Sequence, residues 1–351
     1  MTINEAQGRA RWREARSQDS PAAVTGGSVM QYRRLGKTGF TVSEIGFGAW
    51  GIGGGYWIGA RDADSLAALH AAIDAGVNFI DTALAYGRGQ SESLVGQAVR
   101  ARSERIYVAT KIPPLTQHWP ALPGDRVQDL FPASHLIKST EQSLRNLKLD
   151  CIDLQQLHVW RDEWLQDESW LQTLLRLKAG GKVRAIGVSL NDHEPDSALK
   201  VVTSSVIDAV QVIYNIFDQS PAQALLPACI RHDVGVLARC PFDEGGLTGA
   251  ITPETTFPAG DWRNDYFKGD RKAQVVAHVN PLKSCLGFEA RTLPELSLRF
   301  CLAHPAVSTV IPGMRTQAHV RANTVVSDGR RLSDALLATL GRHAWPRNFY
   351  D

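Results

Sequence analysis

The feature that most constrains this chain is a pattern that repeats while the sequence does not. From residue 30 onward, short apolar or β-branched runs at 44–48, 78–81, 106–111, 152–158, 185–189, 209–214, 234–239 and 308–312 are separated by segments with helical spacing. After Asp62, Leu66, Leu69 and Ile73 fall on one helical face, and Gly76 offers the left-handed residue that stops a helix. Ser134 is placed to cap a helix that buries Leu136, Thr140, Leu144 and Leu147, and Leu171, Leu174 and Leu175 form a further face ended by Gly180-Gly181. Eight strands, each followed by a helix and with no break in composition, predict one closed (β/α)8 TIM barrel over residues 30–351. A hairpin around Gly36-Lys37-Thr38-Gly39 precedes it and a helical tail follows.

Residues 1–29 are rich in Ala, Arg, Gln and Ser, with almost no bulky apolar residue, and read as a disordered extension. They lack the apolar centre of a signal peptide. Lys and Arg number 38 against 36 Asp and Glu, a balance that gives no field for nucleic acid or an anionic membrane. No apolar run is long enough to span a bilayer. Five scattered cysteines without a CxxC pair argue against a disulfide framework or a zinc cage, and no HExxH occurs, so no metal site and a cytoplasmic location are expected. Two irregular stretches, 113–133 and 241–270, follow predicted strand ends, the face on which barrels carry chemistry.

Gly46-Phe47-Gly48-Ala49-Trp50-Gly51 satisfies G-x-G-x-x-G, yet the chain runs on into Ile52-Gly53-Gly54-Gly55 instead of opening a helix. A dinucleotide fingerprint needs that helix at once, so the stretch reads as a glycine-rich barrel loop with Trp50 near a ligand.

Asp81, Tyr86, Lys111 and His158 stand at or just past successive predicted strand ends, which a closed parallel barrel gathers at one mouth. Taken singly, each has an ordinary reading as a cap, a packing aromatic, a solvated strand end or a core histidine. Together they make chemical sense. A phenol titrates near 10, an adjacent ammonium favours its phenolate, and a carboxylate can hold that ammonium. A histidine can donate to a carbonyl oxygen and orient it. Such a set polarises and protonates a carbonyl but supplies no electrons, so hydride must come from a cofactor.

At this point the chain resembles the aldo-keto reductase family. Phe79-Ile80-Asp81-Thr82-Ala83-Leu84-Ala85-Tyr86-Gly87 looks like its signature around the catalytic Asp and Tyr, Thr110-Lys111 like its lysine strand, and Asp153-Leu154-Gln155-Gln156-Leu157-His158 like its histidine strand. The resemblance implies carbonyl reduction, with Tyr86 as proton donor, Lys111 and Asp81 as the pair lowering its pKa, and His158 orienting the carbonyl. It implies nicotinamide contacts from Ser189 and Gln211, with the asparagine one place late at Asn191. Gly48, at the end of the first predicted strand, and Trp50, in the loop after it, are further expected cofactor contacts. Arg239 stands where many members place an aromatic residue, followed by Pro241, and Gly246-Leu247 match the loop over the pyrophosphate. Gly313, Arg315 and Thr316 match the segment holding the adenosine 2′-phosphate, so NADPH is expected over NADH. Asn323 matches the adenine contact, and His319 replaces a common glutamine.

Trp50, Trp57, Trp119 and Trp160 are expected to wall a substrate pocket, with Tyr56 and Trp164 nearby. The expected partner is a small carbonyl compound, an aldehyde, ketone or sugar. A cofactor-binding regulatory subunit and a lyase or epimerase using nicotinamide transiently are the alternative readings.

Overall fold

The computed structural model describes residues 30–346. The extension at 1–29 and the last aromatic residues, Phe349 and Tyr350, lie outside the described residues. The hairpin strands β1 (Tyr32–Arg34) and β2 (Thr41–Ser43) pair antiparallel. Eight parallel strands follow in sequential order: β3 (Phe47–Gly48), β4 (Phe79–Asp81), β5 (Tyr107–Ile112), β6 (Ile152–Leu157), β7 (Val183–Ser189), β8 (Ala209–Ile213), β9 (Gly235–Arg239) and β10 (Val307–Val310). Hydrogen bonds from Gly46 N to Val310 O (2.8 Å) and from Gly48 N to Pro312 O (3.0 Å) join the first to the last. The chain has the expected (β/α)8 fold.

The outer ring comprises α1 (Asp62–Asp74), α2 (Gln90–Arg100), α3 (Ala133–Leu147), α4 (Ser169–Ala179), α5 (Leu199–Thr203), α6 (Leu225–His232), α7 (Arg271–Leu282), α8 (Leu293–Ala303) and α9 (Gln317–Thr324), and α10 (Asp334–Gly341) forms the tail. Gly76 has φ of +91° after α1, as its position requires. Two details differ from the sequence reading. Helix α3 starts two residues earlier, with Pro132 at its N-cap, so Ser134 sits inside the first turn and caps nothing. On α4 the buried face is Trp170, Leu171, Thr173, Leu174 and Leu177, and Leu175 is exposed, because a helix turns about 100° per residue and the face already holds its neighbour.

Inside the barrel, Phe79, Ala109, Leu154, Ala185, Ala209, Leu237 and Ile311 form one apolar cluster. Leu35 and Val42 of the hairpin join it and close the barrel's N-terminal end. Strand side chains alternate, so the residues two further on point inward nearer the other mouth. They are Asp81, Lys111, Gln156, Gln211 and Arg239. The apolar layer thus sets a polar layer above it by period alone. Gly48 lies on the barrel seam, where a Cβ would stand 2.6 Å from Ile311 O. Only glycine allows that approach. At the C-terminal end, Trp345 donates its backbone N–H to Phe217 O (2.8 Å) and stacks on His278 at 4.0 Å, so this aromatic docks on the barrel.

Arg299 of α8, almost wholly buried, is gripped by Glu295 and Asp328 at 2.9 and 2.8 Å. Burial opposes ionisation of Asp328, but bonds from Arg299 and Arg330 prevail and hold the carboxyl well below the usual range. A depressed folded pKa stabilises above the unfolded value of about 3.9 and is lost as pH falls through the folded pKa. Asp328→Asn is therefore expected to cost about 1.5–3 kcal/mol at neutral pH. In thermal unfolding, its difference from the parent should shrink once pH drops below roughly 4.

Candidate active site

The polar layer converges on Lys111. Its Nζ donates to Asp81 Oδ2 at 2.7 Å, to Thr82 O at 2.9 Å and to the Tyr86 hydroxyl at 3.1 Å. The ammonium also lies 4.8 Å from the Tyr86 ring centroid. Lys111 and Asp81 are buried at 0% and 3% exposure. Burial disfavours the Lys111 charge, yet Asp81 and Tyr86 outweigh it and hold the group above its ordinary value. Tyr86 opens a tight 3-10 turn, Tyr86–Gly89, separated from β4 by residues 82–85.

The expected lowering of the tyrosine needs a correction of balance. Lys111 does pull the Tyr86 pKa down, and Arg239 adds to this, but burial is the larger effect and the net direction is up. The phenol is thus a neutral acid whose conjugate base has a cation waiting beside it. Burial first, then Lys111 and Arg239, push His158 well below the usual histidine range, so its ring is neutral. Its Nδ1 is buried without a hydrogen-bond partner among the described residues. The rings of Tyr86 and His158 meet edge to face at 5.7 Å.

The aromatic wall is narrower than the sequence suggested. Trp119 meets His158 at 5.6 Å, Trp50 lies 6.2 Å from Tyr86, and Trp57 packs against Trp50 at 5.7 Å. Trp160 is not part of it. Strand β6 ends at Leu157, and the chain then turns so that Trp160 is fully buried against Trp164 and Trp170, its Nε1 donating to Asp162 Oδ1. Trp164 is likewise a core residue that donates to Asp125 O, and Tyr56 is largely exposed. The sequence reading missed Trp262, 6.0 Å from Trp50, whose backbone N–H donates to Tyr56 O. It comes from the aperiodic 241–270 stretch, which gave no signal beyond its length. Gln156 was also missed, although its even spacing from Leu154 and His158 marks it as inward-facing.

Of the residues matched to cofactor contacts, Ser189 and Gln211 are buried register partners on β7 and β8. Asn191 is engaged elsewhere: its Nδ2 donates to Ala121 O at 3.0 Å and its Oδ1 accepts from Ala121 N at 3.3 Å, which ties it to the 113–133 loop. Arg239 donates to Leu190 O at 3.1 Å and pairs with Asp192, while its Nε is buried without a partner. Pro241 follows it, buried. Gly246 and Leu247 are buried in the turn Asp243–Thr248, where the Leu247 N–H donates to Phe242 O. Past β10, Gly313 is exposed and bridges to Gly48 across the seam. Thr316 caps α9 by accepting from His319 N, and His319 Nδ1 accepts from Arg315 N at 3.3 Å, which gives this histidine a place in the cap. Asn323 is buried on α9.

Arg315 donates to Ile58 O at 3.1 Å and lies under Gly51, where a Cβ would stand 3.1 Å from its Cδ. Burial, and then Arg263, lower its pKa. Two guanidinium groups share this end of the mouth beside α9, and Asp261, which holds Arg263 at 2.8 Å, offsets part of their repulsion and acts to raise the Arg315 pKa.

The parallel barrel gathers an ammonium, a phenol and a neutral imidazole at its C-terminal mouth. The chain matches the aldo/keto reductase family over residues 44–344, and it belongs to that family. It is 32% identical over 300 residues to the aldo-keto reductase YhdN of Bacillus subtilis (strain 168), covering 84% of this chain and 87% of that one. It is 31% identical over 315 residues to the NADH-specific methylglyoxal reductase of Escherichia coli (strain K12), covering 86% and 94%. An aldo/keto reductase from Klebsiella pneumoniae, solved in complex with NADP and acetate, superposes with a TM-score of 0.63 at 27% identity, covering 91% of this chain and 97% of that one. The protein is an NAD(P)H-dependent oxidoreductase. Among the described residues, no helix is long and apolar enough to cross a membrane.

Proposed function

We propose that this protein reduces the carbonyl group of a small aldehyde, ketone or sugar to the alcohol, with NADPH as the cofactor. The observation that carries the reading is Lys111 Nζ, which touches both Asp81 and the Tyr86 hydroxyl from inside the barrel. When bound, NADPH supplies the hydride. Tyr86, kept protonated by burial, holds the proton for the carbonyl oxygen, and Lys111 stabilises the phenolate left behind. Asp81 keeps Lys111 charged and in place. Neutral His158 orients the carbonyl oxygen, with Trp50, Trp57 and Trp119 as the apolar wall around it. Ser189 and Gln211 would hold the nicotinamide carboxamide. Arg239, Pro241, Gly246 and Leu247 would flank the ring and pyrophosphate, and Gly313, Arg315, Thr316 and Asn323 would hold the adenosine 2′-phosphate and adenine.

The test is NADPH oxidation by the purified protein against a panel of aldehydes, ketones and sugars. Turnover supports the reading, and NADPH binding without turnover of any carbonyl favours a regulatory role. Arg315→Ala tests the cofactor preference, which is open because one relative is named as NADH-specific. NADPH affinity should fall roughly ten- to a hundredfold, the loss of charge-assisted bonds to a phosphate, while NADH affinity stays within about twofold. Equal losses for the two cofactors, measured by fluorescence titration, would remove the 2′-phosphate assignment.

A further inference from the structure

Asp81 has a second set of partners besides Lys111. Its Oδ1 accepts from Gln211 Nε2 at 2.8 Å and from Gln156 Nε2 at 3.5 Å, while its Oδ2 is held by Lys111. All four side chains are buried. A carboxylate paired with an ammonium offers only acceptor sites, whereas a glutamine amide has one donating end and one accepting end. The two ends of an amide are usually assigned from their neighbours, and here the neighbour leaves a single choice. Nε2 of Gln211 must face Asp81, so Oε1 faces the other way. Whatever group meets the free end of Gln211 meets a pure acceptor. The register partner of Gln211 on β7 is Ser189, whose hydroxyl can donate or accept. An acceptor beside a hydroxyl complements a primary carboxamide, whose NH2 donates to the first and whose oxygen accepts from the second.

We infer that Asp81 sets the amide polarity of Gln211, so that the site demands a hydrogen-bond donor on the nicotinamide ring substituent. Asp81 is in this sense a positioning residue that acts through Gln211. The inference rests on the NADP reading above and goes beyond it, because it gives Asp81 a role in cofactor selection that is separate from its hold on Lys111.

The test compares equilibrium binding of NADP+ with that of its acetylpyridine analogue, whose ring substituent can accept a hydrogen bond but cannot donate one. Binding is followed by quenching of tryptophan fluorescence, with no carbonyl substrate present. The parent protein should bind NADP+ at least about tenfold more tightly than the analogue, since the analogue leaves Gln211 Oε1 without a donor. In Gln211→Met that ratio should fall to within about threefold of unity. Asp81→Asn is the sharper variant. Lys111 would keep the Asn oxygen, the Asn NH2 would face Gln211, and Gln211 would turn its Oε1 toward that NH2. The donating end of Gln211 would then face the cofactor, and the preference for NADP+ should collapse or invert although Gln211 is intact. A parent-like ratio in Asp81→Asn, or equal affinities in the parent protein, overturns the inference alone. Failure of the parent protein to bind either dinucleotide overturns the NADP reading and the inference with it. Should Asp81→Asn not fold, Gln211→Met decides, and an unchanged ratio there overturns the inference.

Discussion

Tyr86→Phe should cut turnover by roughly two to four orders of magnitude while NADPH affinity stays within about twofold. The substitution removes one oxygen and keeps the ring, so its packing at 6.2 Å from Trp50 and 5.7 Å from His158 persists. What is lost is the one hydroxyl that Lys111 Nζ bonds at 3.1 Å. That contact is the ground on which Tyr86 is proposed as the proton donor. Full activity in the variant would show that the proton comes from elsewhere. The pH profile of the parent enzyme carries the same assignment. Burial raises Tyr86 above its ordinary value of 10 and pushes His158 well below 6.5. Between those limits the phenol keeps its proton and the imidazole stays neutral. The rate of carbonyl reduction should therefore be flat through neutral pH and fall only in the alkaline range, as pH rises through the raised Tyr86 pKa. A fall centred near pH 6.5 would point to a titrating histidine instead.

The parts of the site that could be read in the sequence are those fixed by strand period. Phe79 and Asp81, Ala109 and Lys111, Leu154 and His158 keep step with the strands, so an apolar residue that packs the barrel predicts a polar one at its mouth. The same rule makes Gln156 inward-facing, although its partner, Asp81, comes from a strand two places away in the sheet. Where the strand stops, the rule stops. Trp160 lies two residues beyond His158, yet β6 has ended by then and Asp162 draws its indole away from the mouth. Asn191 lies past β7, where contacts with Ala121 and not strand period set its direction. Ser134 is a fair capping candidate from sequence, but the helix opens at Ala133 after an extended Pro132, which leaves Ser134 inside the first turn. Trp262 and Arg263 reach the mouth from a long loop whose path no periodicity describes. The net direction of the Tyr86 pKa was hidden for a different reason: the sequence names the neighbouring charge but not the burial that outweighs it.

Lys111→Met should lose activity and stability together, and the two losses can be separated. The substitution keeps a long side chain at a fully buried position and deletes the ammonium that bonds Asp81, Thr82 O and Tyr86. Asp81 is then a buried carboxylate that keeps only the amides of Gln211 and Gln156 as donors. Breaking one side of a buried ion pair costs about 3–5 kcal/mol, because the remaining charge has no compensation. On the proposed mechanism, turnover should fall by two or more orders of magnitude, since the phenolate left when Tyr86 gives up its proton would have lost its cation. Adding Asp81→Asn in the Lys111→Met background removes the orphaned charge at almost constant shape. Most of the stability should return, as it does when both members of a buried pair are replaced by neutral groups. Activity should not return with it. Recovery of both would mean that Lys111 serves only to neutralise Asp81. Recovery of stability alone would place the ammonium in the chemical step, acting on the Tyr86 oxygen.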